Sequence, residues 1–575
     1  MKQHSLCSAC RLPVVLRDGD RPAAPARVWL CVGAVFLSAA CLPGVPALAG
    51  PPPPIPSASS SCVEPDLRDV PWTVLRRLTL AAGLAGPSTR SLARSELVAL
   101  LRAAGPALDD PDERAIAARL LAAWADPADT RSLRIGARVR LAQSDLGAVA
   151  TGEAGLANPP GLSLGLEPSL SGGAGRWWGA VTPRLTGRLA ATGRIPSAPL
   201  LYADWPLATG APVWRDARLT GEAWRLTWPR AVAGARFGGW ALSLGWSPAR
   251  GGPGEGGGLL LDATGPAFPA LTLRRAAPFV WRGPLRPFAP DALLVRVGRV
   301  SARTVRIGDG WSSDEPRRDE PWFGQWLLAW TPVRWLTAGA SLSALALPRS
   351  GSLLPDLLQV ALPVLSTTRT EMERGPVTDR LFSVNFEGRW RRAPWPLLPS
   401  AAGRVYWEYA GEDFNPPGVV PLLPQISAPA SVAGVELVGP RWDLAAEFTE
   451  LEHPLVLWYD HAAFTDGYTH RGWLLGHPLG GTGAAFAGAL RWRPRGAGLE
   501  LALRGERATA GRRGLTPSHA VRRTWELALR PAHGLGAWGV EVARVAEQVT
   551  PYAPDAPDAA GARTAWWRAA VVLRR

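Results

Sequence analysis

Residues 240–246 read WALSLGW, and this short stretch shows the pattern that decides the fold. Apolar residues at 240, 242, 244 and 246 alternate with small or polar residues at 241, 243 and 245. Because successive side chains of a β-strand point to opposite faces of a sheet, a period of two predicts a strand with one apolar face. The same alternation occurs at 135–141, 384–390, 404–409 and 499–504.

The strand pattern begins near Arg131 and continues to the end of the chain, without the helical stretches that a doubly wound fold requires. At about 24 residues for each strand with its connection, roughly 16–18 strands are expected. Tryptophans near strand ends, as at 224–228 and 322–335, are typical of aromatic girdles at membrane interfaces. We therefore predict a mainly β fold, in which residues 131–575 form a large closed antiparallel outer-membrane β-barrel. A periplasmic multidomain β protein or a propeller is the alternative architecture.

The N-terminus has the features of a secretory signal. Arginines precede an apolar run at 28–40, and Ala47-Leu48-Ala49 has the small-x-small pattern of a cleavage site. We expect residues 1–49 to be a signal peptide and the Pro- and Ser-rich residues 50–62 to be an extended linker. Lipidation of Cys41 is the alternative interpretation of this region.

Residues 63–130 have a helical period instead and are predicted to form a small helical subdomain. Residues 110–113 read DPDE, which supplies a helix N-cap, a proline at the first helical position and acidic residues in the first turn. Apolar residues then recur on one face, at 116, 120, 121 and 124.

The charge balance bears on possible partners. The chain carries 63 basic and 48 acidic residues, a formal net charge of +15. A basic exported protein suits anionic partners such as lipopolysaccharide phosphates or acidic glycans, whereas export makes nucleic acid an unsuitable partner. Of the five cysteines only Cys62 follows the predicted cleavage site, so neither a disulfide framework nor a cysteine-based metal site is expected. No cofactor is predicted.

Two glycine motifs match the patterns of enzymes. Residues 161–165 read GLSLG and fit the GxSxG of serine hydrolases, and residues 252–257 read GPGEGG and fit the GxGxxG of dinucleotide-binding folds. Both chemistries need a helix directly after the motif, but strand patterns follow here. We therefore expect a strand at 161–165 and a flexible hairpin loop at 252–257.

Four histidines, at 453, 461, 470 and 477, lie close together in the sequence with Asp460 and Asp466 among them. Zinc ligands usually have closer and more regular spacing, so we favour polar histidines in the lumen or at the barrel rim over a metal site. Residues 404–409 combine aromatic and charged groups, which are the side chains that bind sugars.

Several segments, in one order along the chain, resemble the capsule assembly Wzi family. The most specific are Trp458-Tyr459-Asp460-His461, residues 468–472 (YTHRG) and residues 475–481 (LGHPLGG); further matches lie at 69–72, 91–94, 221–224, 252–254 and 405–409. The resemblance implies a wide barrel with a helical cap on the periplasmic side, acting as a lectin-like anchor that holds capsular polysaccharide at the cell surface.

Together these observations predict a non-enzymatic barrel in the outer membrane of a Gram-negative-type bacterium. Its expected partners are a surface or capsular polysaccharide, for which an acidic glycan would suit the basic charge, together with outer-membrane lipid and lipopolysaccharide. The candidate ligand-binding residues are Tyr406, Glu408, Tyr459, Tyr468, His470 and Arg471. A porin-like solute channel is the main alternative, because a wide polar lumen conducts unless something fills it. An outer-membrane hydrolase is a third hypothesis.

Overall fold

The computed structural model describes the chain from residue 72 to residue 574, with gaps. The described residues are 72–84, 94–124, 131–144, 149–150, 157–158, 161–190, 224–263, 267–275, 279, 281, 289–301, 306–307, 311–312, 321–347, 377–392, 401–412, 428–452, 458–459, 468–470, 473–495, 498–510, 518–532, 538–551 and 562–574. The predicted signal peptide, linker and Cys41 lie outside them and stay predictions. Within the described part of the chain, no helix combines the length and apolarity needed to cross a membrane.

The described chain begins with three α-helices, which are α1 (Trp72–Ala81), α2 (Arg94–Ala104) and α3 (Pro111–Trp124). A short 3₁₀ turn, Gly105–Ala107, follows α2. The side chain of Asp110 accepts a hydrogen bond from the backbone N–H of Asp112 at 2.7 Å, so the predicted cap of α3 is present. The helices share a core of buried apolar side chains that includes Leu75, Leu78, Leu97, Leu101 and Leu120.

Eighteen strands form one antiparallel sheet in which each strand pairs with its neighbours in chain order. They are β1 (Arg131–Ser144), β2 (Gly161–Ala174), β3 (Trp177–Ala190), β4 (Trp224–Phe237), β5 (Trp240–Trp246), β6 (Pro269–Arg275), β7 (Ala292–Arg299), β8 (Trp322–Val333), β9 (Leu336–Leu347), β10 (Val377–Trp390), β11 (Ala402–Glu412), β12 (Ala428–Val438), β13 (Trp442–Glu450), β14 (Gly483–Trp492), β15 (Leu499–Ala510), β16 (Ser518–Pro531), β17 (Trp538–Pro551) and β18 (Ala562–Arg574). Strand β1 pairs with both β2 and β18, which closes the sheet. The predicted fold class, a closed barrel with N-terminal helices, is confirmed.

The two faces of the barrel wall differ in polarity, as the alternation predicts. Outward-facing side chains such as Ile135 and Trp525 are apolar and exposed. Inward-facing side chains include buried charges such as Arg184 and Glu167, which form an ion pair at 3.3 Å. An apolar exterior around a polar interior is the arrangement expected of a barrel in lipid.

Connections at the two ends of the barrel differ in length. One end has short turns, including 175–176, 238–239, 334–335 and 439–441, whereas the other has long connections, including 191–223, 348–376 and 451–482. In bacterial barrels the short turns are periplasmic and the long loops are extracellular. The helices lie at the short-turn end, where Arg391, just after β10, donates hydrogen bonds to Ala107 O at 2.6 Å and to Asp109 Oδ1 at 2.9 Å.

The GxSxG stretch is part of the barrel wall. Residues 161–165 begin β2, and the same strand continues to Ala174. The hydroxyl of Ser163 donates to Ala142 O on β1 at 3.2 Å. The predicted strand is confirmed here, and in place of the strained strand-to-helix turn that activates a hydrolase serine, Ser163 lies in a strand that pairs with β1 without interruption and with β3 after a register shift between Leu162 and Ser163.

Candidate functional site

Two extracellular connections fold back into the lumen. The first joins β5 to β6 and buries Leu259, Leu260 and Leu261. The second joins β13 to β14 and buries Trp458 completely. The two segments bind each other, because the backbone N–H of Asp262 donates to Leu475 O at 2.7 Å. They therefore form one packed unit inside the extracellular half of the barrel.

A pair of tyrosines from the second segment holds the first. The rings of Tyr459 and Tyr468 stack with their centroids 5.7 Å apart. Their hydroxyls donate to Leu259 O at 2.7 Å and to Leu260 O at 2.8 Å. Burial raises the pKa of both phenols well above the ordinary value, which keeps them protonated as donors. Tyr459 also has φ +67°, a left-handed conformation that only surrounding contacts hold in a non-glycine residue.

The glycine-rich stretch 252–257 packs against the barrel wall. A Cβ on Gly252 would lie 2.3 Å from Glu408 Oε2, and the residue has φ +79°, so any other residue here would displace the carboxylate and strain the backbone. The backbone N–H of Gly256 donates to Glu447 Oε1 at 2.7 Å, and the Tyr406 hydroxyl donates to Glu447 Oε2 at 2.7 Å. The expectation of a flexible hairpin loop is wrong, because the stretch does join neighbouring antiparallel strands but is fixed inside the lumen.

Arg404 on β11 is the centre of a charge cluster in the lumen. It donates to Glu436 at 3.0 Å and to Glu387 at 2.8 Å on the neighbouring strands, and lies 3.4 Å from Glu255 in the first inward segment. Arg76 of helix α1 pairs with the same Glu436 at 2.7 Å and also with Glu255. The periplasmic helix and the extracellular segment therefore meet inside the barrel.

A second charge cluster fixes the helices to the periplasmic half of the lumen. Arg77 of α1 lies 3.1 Å from Glu113 of α3 and 3.4 Å from Glu500 of β15. Close by, Arg493 makes a bidentate pair with Asp443, at 2.7 and 2.8 Å. Bidentate arginine–carboxylate pairs are among the strongest polar contacts in proteins, and this pair holds Arg493 3.8 Å from Glu113 of α3. The wall therefore contacts α1 through Glu500 and α3 through Arg493.

Two of the four clustered histidines, His470 and His477, are described, and each accepts a hydrogen bond from a backbone N–H. His470 Nδ1 accepts the backbone N–H of Ser301 at 2.9 Å. His477 Nδ1 accepts the N–H of Leu479 at 3.2 Å, and burial lowers the pKa of His477 to about 4. His453 and His461 lie outside the described residues. No group of three or more His, Cys, Asp or Glu side chains within the described part of the chain is placed to hold a metal ion.

The candidate ligand-binding residues that the structure describes all lie in the lumen and are at most 1% exposed. They are Tyr406, Glu408, Tyr459, Tyr468 and His470; Arg471 lies outside the described residues. Glu408, Tyr459 and Tyr468 surround the first inward segment, whereas Tyr406 packs under the Arg404 guanidinium at 4.3 Å from its ring centroid. Direct contact of these side chains with a ligand stays a prediction.

Sequence reasoning did not identify Arg76, Glu436 and Glu447, which organise the lumen together with Arg404, and it noted Arg404 only among the charged and aromatic groups of residues 404–409. Their only sequence signal is that the three strand residues occupy inward-facing positions of the alternating pattern. Which acid meets which base depends on the register of strands and on where α1 enters the barrel.

Comparison with known proteins agrees with this architecture. The family model described as capsule assembly protein Wzi matches residues 136–549. Among solved structures, the chain is similar to Wzi of Escherichia coli, described as an outer-membrane protein involved in group 1 capsule assembly and a carbohydrate-binding β-barrel; the TM-score is 0.57 at 16% identity, over 89% of this chain and 99% of that one. It is also similar to OccAB2 of Acinetobacter baumannii, with a TM-score of 0.45 at 11% identity, over 78% of this chain and 98% of that one. None of the curated proteins searched matches the chain.

Proposed function

The chain belongs to the capsule assembly Wzi family, and from this membership we propose that it is a lectin-like protein that anchors or assembles capsular polysaccharide at the cell surface. The family and the fold place it in the outer membrane of a Gram-negative bacterium. In this proposal the protein binds its glycan without chemical conversion. Lipopolysaccharide and outer-membrane lipid are further proposed partners.

The observation that supports binding over conduction is the meeting of two chain segments in the lumen. Arg76 enters from the periplasmic helices, Glu255 enters from an extracellular connection, and Arg404 of the wall contacts the latter. A barrel whose interior is occupied from both ends offers a supported outer surface, whereas a solute channel needs a continuous polar path.

In this proposal the candidate residues hold the inward segments in place beneath the extracellular surface that binds the glycan. Tyr459 and Tyr468 bind backbone carbonyls of the first inward segment, and Glu408 lies against Gly252 of the same segment. A glycan-binding surface gains affinity when its loops are held in the bound conformation before the ligand arrives. The excess of basic over acidic residues in the chain favours an acidic polysaccharide.

Single-channel conductance of the purified mature protein in a planar bilayer tests the proposal, together with retention of an acidic capsular polysaccharide in a pull-down. We expect low conductance and retention of the polysaccharide. Steady, large conductance that polysaccharide does not change would contradict the anchor and support the porin-like alternative.

A matched pair of variants makes the retention experiment specific. Tyr468→Phe removes the hydroxyl that donates to Leu260 O inside the lumen, whereas Tyr409→Phe makes the same chemical change on the outward face of β11. We expect Tyr468→Phe to lower retention and Tyr409→Phe to leave it unchanged. Equal retention by the two variants would contradict the supporting role of the inward segments.

A further inference from the structure

Three arginines lie together on the outer surface of the barrel, on strands β15, β16 and β17. Arg507 and Arg523 are directly opposite each other on neighbouring strands. Arg544 is opposite Trp525, which is two residues from Arg523 on the same face. All three arginines are exposed. We refer to Arg507, Arg523 and Arg544 as the arginine ridge.

The ridge lies at the extracellular edge of the apolar band. Leu503, Leu527 and Val542 are outward-facing and exposed, and each lies toward the periplasmic side of a ridge arginine on its own strand. Trp525 and Trp567 belong to the same level of the wall as Arg544, which pairs with Trp567 across strands. Aromatic residues mark the lipid interface of such barrels, so the ridge faces the headgroup level of the outer leaflet.

In the described part of strands β14–β18 of the barrel wall, the ridge has no acidic counterpart on its own face. Among the described outward-facing residues of β14–β18, none is Asp or Glu. Like charges directly opposite each other on neighbouring strands destabilise a sheet, and Arg507 and Arg523 are opposite each other in this way. Inward-facing arginines of the same strands have acidic partners, as Arg504 has Glu506 at 2.8 Å and Arg568 has Glu526 at 2.8 Å. An external anion at this level of the wall would relieve the repulsion between the ridge arginines.

We propose that the arginine ridge binds the phosphate groups of a phosphorylated glycolipid of the outer leaflet. Guanidinium groups bind phosphate bidentately, and three of them on adjacent strands suit a headgroup that carries more than one phosphate. Trp525 and Trp567 offer apolar surface for the chains below the headgroup, and the Arg544 guanidinium lies 5.7 Å from the Trp567 ring centroid. The inference rests on the proposal that lipopolysaccharide is a partner, and it identifies the arginine ridge as the site where that partner binds.

The test is a titration of the detergent-solubilised full-length mature protein with bisphosphorylated lipid A, dephosphorylated lipid A and phosphatidylglycerol. We expect the wild-type protein to bind bisphosphorylated lipid A at least tenfold more tightly than the other two lipids. The variant Arg507→Gln/Arg523→Gln/Arg544→Gln is expected to lose at least tenfold in affinity for bisphosphorylated lipid A. Heat-modifiable gel mobility checks that each variant retains the barrel.

The control variant makes an equal change of charge at the periplasmic end. Arg119→Gln/Arg441→Gln/Arg495→Gln removes three exposed arginines of helix α3 and two turns, and we expect it to bind lipid A as the wild-type protein does. Unchanged affinity of the ridge variant, an equal loss in the control, or equally tight binding of phosphatidylglycerol would each overturn the inference.

Polysaccharide retention by the same preparations separates this inference from the proposed function. If the wild-type protein binds lipid A through the ridge but retains no polysaccharide, the ridge is supported and the anchor role fails. If it retains polysaccharide but the ridge variant keeps its lipid affinity, the anchor role is supported and the ridge fails.

Discussion

Replacing Arg404 tests whether the lumen charge cluster holds the inward segment in place. Arg404 is 2% exposed and contacts Glu387, Glu436 and Glu255. Removing one partner of a buried ion pair typically costs about 3–5 kcal/mol, because the remaining charge stays buried without compensation. Here Glu436 keeps Arg76, so we expect Arg404→Ala to cost about 3 kcal/mol, the lower end of that range.

The expected effect is release of the inward segment and not loss of the barrel. The backbone pairing of β11 with β10 and β12 does not depend on the Arg404 side chain. A change of about 3 kcal/mol shifts the equilibrium between packed and released segment by roughly 100-fold. We expect frequent channel openings in planar bilayers and faster proteolysis within residues 247–263, with unchanged heat-modifiable gel mobility.

A control in the same lumen separates this effect from any loss of positive charge. Arg568 pairs with Glu526 at 2.8 Å, but both side chains are about 30% exposed, at 31% and 28%. Pairs of that exposure contribute about 0–1 kcal/mol, so Arg568→Ala is expected to behave as the wild-type protein. If Arg404→Ala shows the conductance and protease resistance of the wild-type protein, the cluster does not hold the segment and the reasoning is refuted.

Three further predictions concern the inward segments. Tyr459→Phe leaves a buried carbonyl and the N–H of His477 without their partner, so we expect it to cost about 1–3 kcal/mol, seen as faster hydrogen exchange in residues 247–263. Gly252→Ala places a methyl group against Glu408 at φ +79° and is expected to cost about 1–3 kcal/mol in thermal denaturation, whereas Gly175→Ala, also at positive φ, meets no atom within 4 Å and costs less. Burial lowers the pKa of His477 to about 4, below its unfolded value of about 6.5. The neutral ring therefore stabilises the packed segment above about pH 6.5, and this stabilisation is lost as the pH falls toward 4; protease resistance is expected to fall over that window, and less so in His477→Gln.

The barrel was predictable because its signal is local. A period of two at 240–246 places alternate side chains on opposite faces whatever the rest of the chain does. The helix start at Asp110 was predictable for the same reason, since its cap acts on the N–H of Asp112 two residues away. In both the strand and the helix cap, the residues that determine the local structure lie within a few positions of each other in the sequence.

The filling of the lumen was not predictable in the same way, because its contacts are remote in sequence. The space that a side chain at position 252 would fill is occupied by the carboxylate of Glu408, which lies more than 150 residues later in the chain. The composition of residues 252–257 fits an exposed loop as well as it fits a segment packed in the lumen. Only the three-dimensional arrangement of the wall distinguishes these two possibilities. The tyrosines at 459 and 468 were identified as candidates through the family resemblance, while their carbonyl partners at 259 and 260 required the fold.

The alternation of side chains along a strand explains how arginine occurs both in the lumen and on the outer surface of this barrel. Arg504 and Arg507 lie three positions apart on β15 and therefore face opposite sides of the wall, where the first pairs with Glu506 and the second is exposed beside Arg523. A single residue inserted between them would put both arginines on the same face, and with Arg504 kept in register Arg507 would turn into the lumen. The positive charge of the chain is thus divided by register into arginines that neutralise lumen carboxylates and arginines that face the outer leaflet.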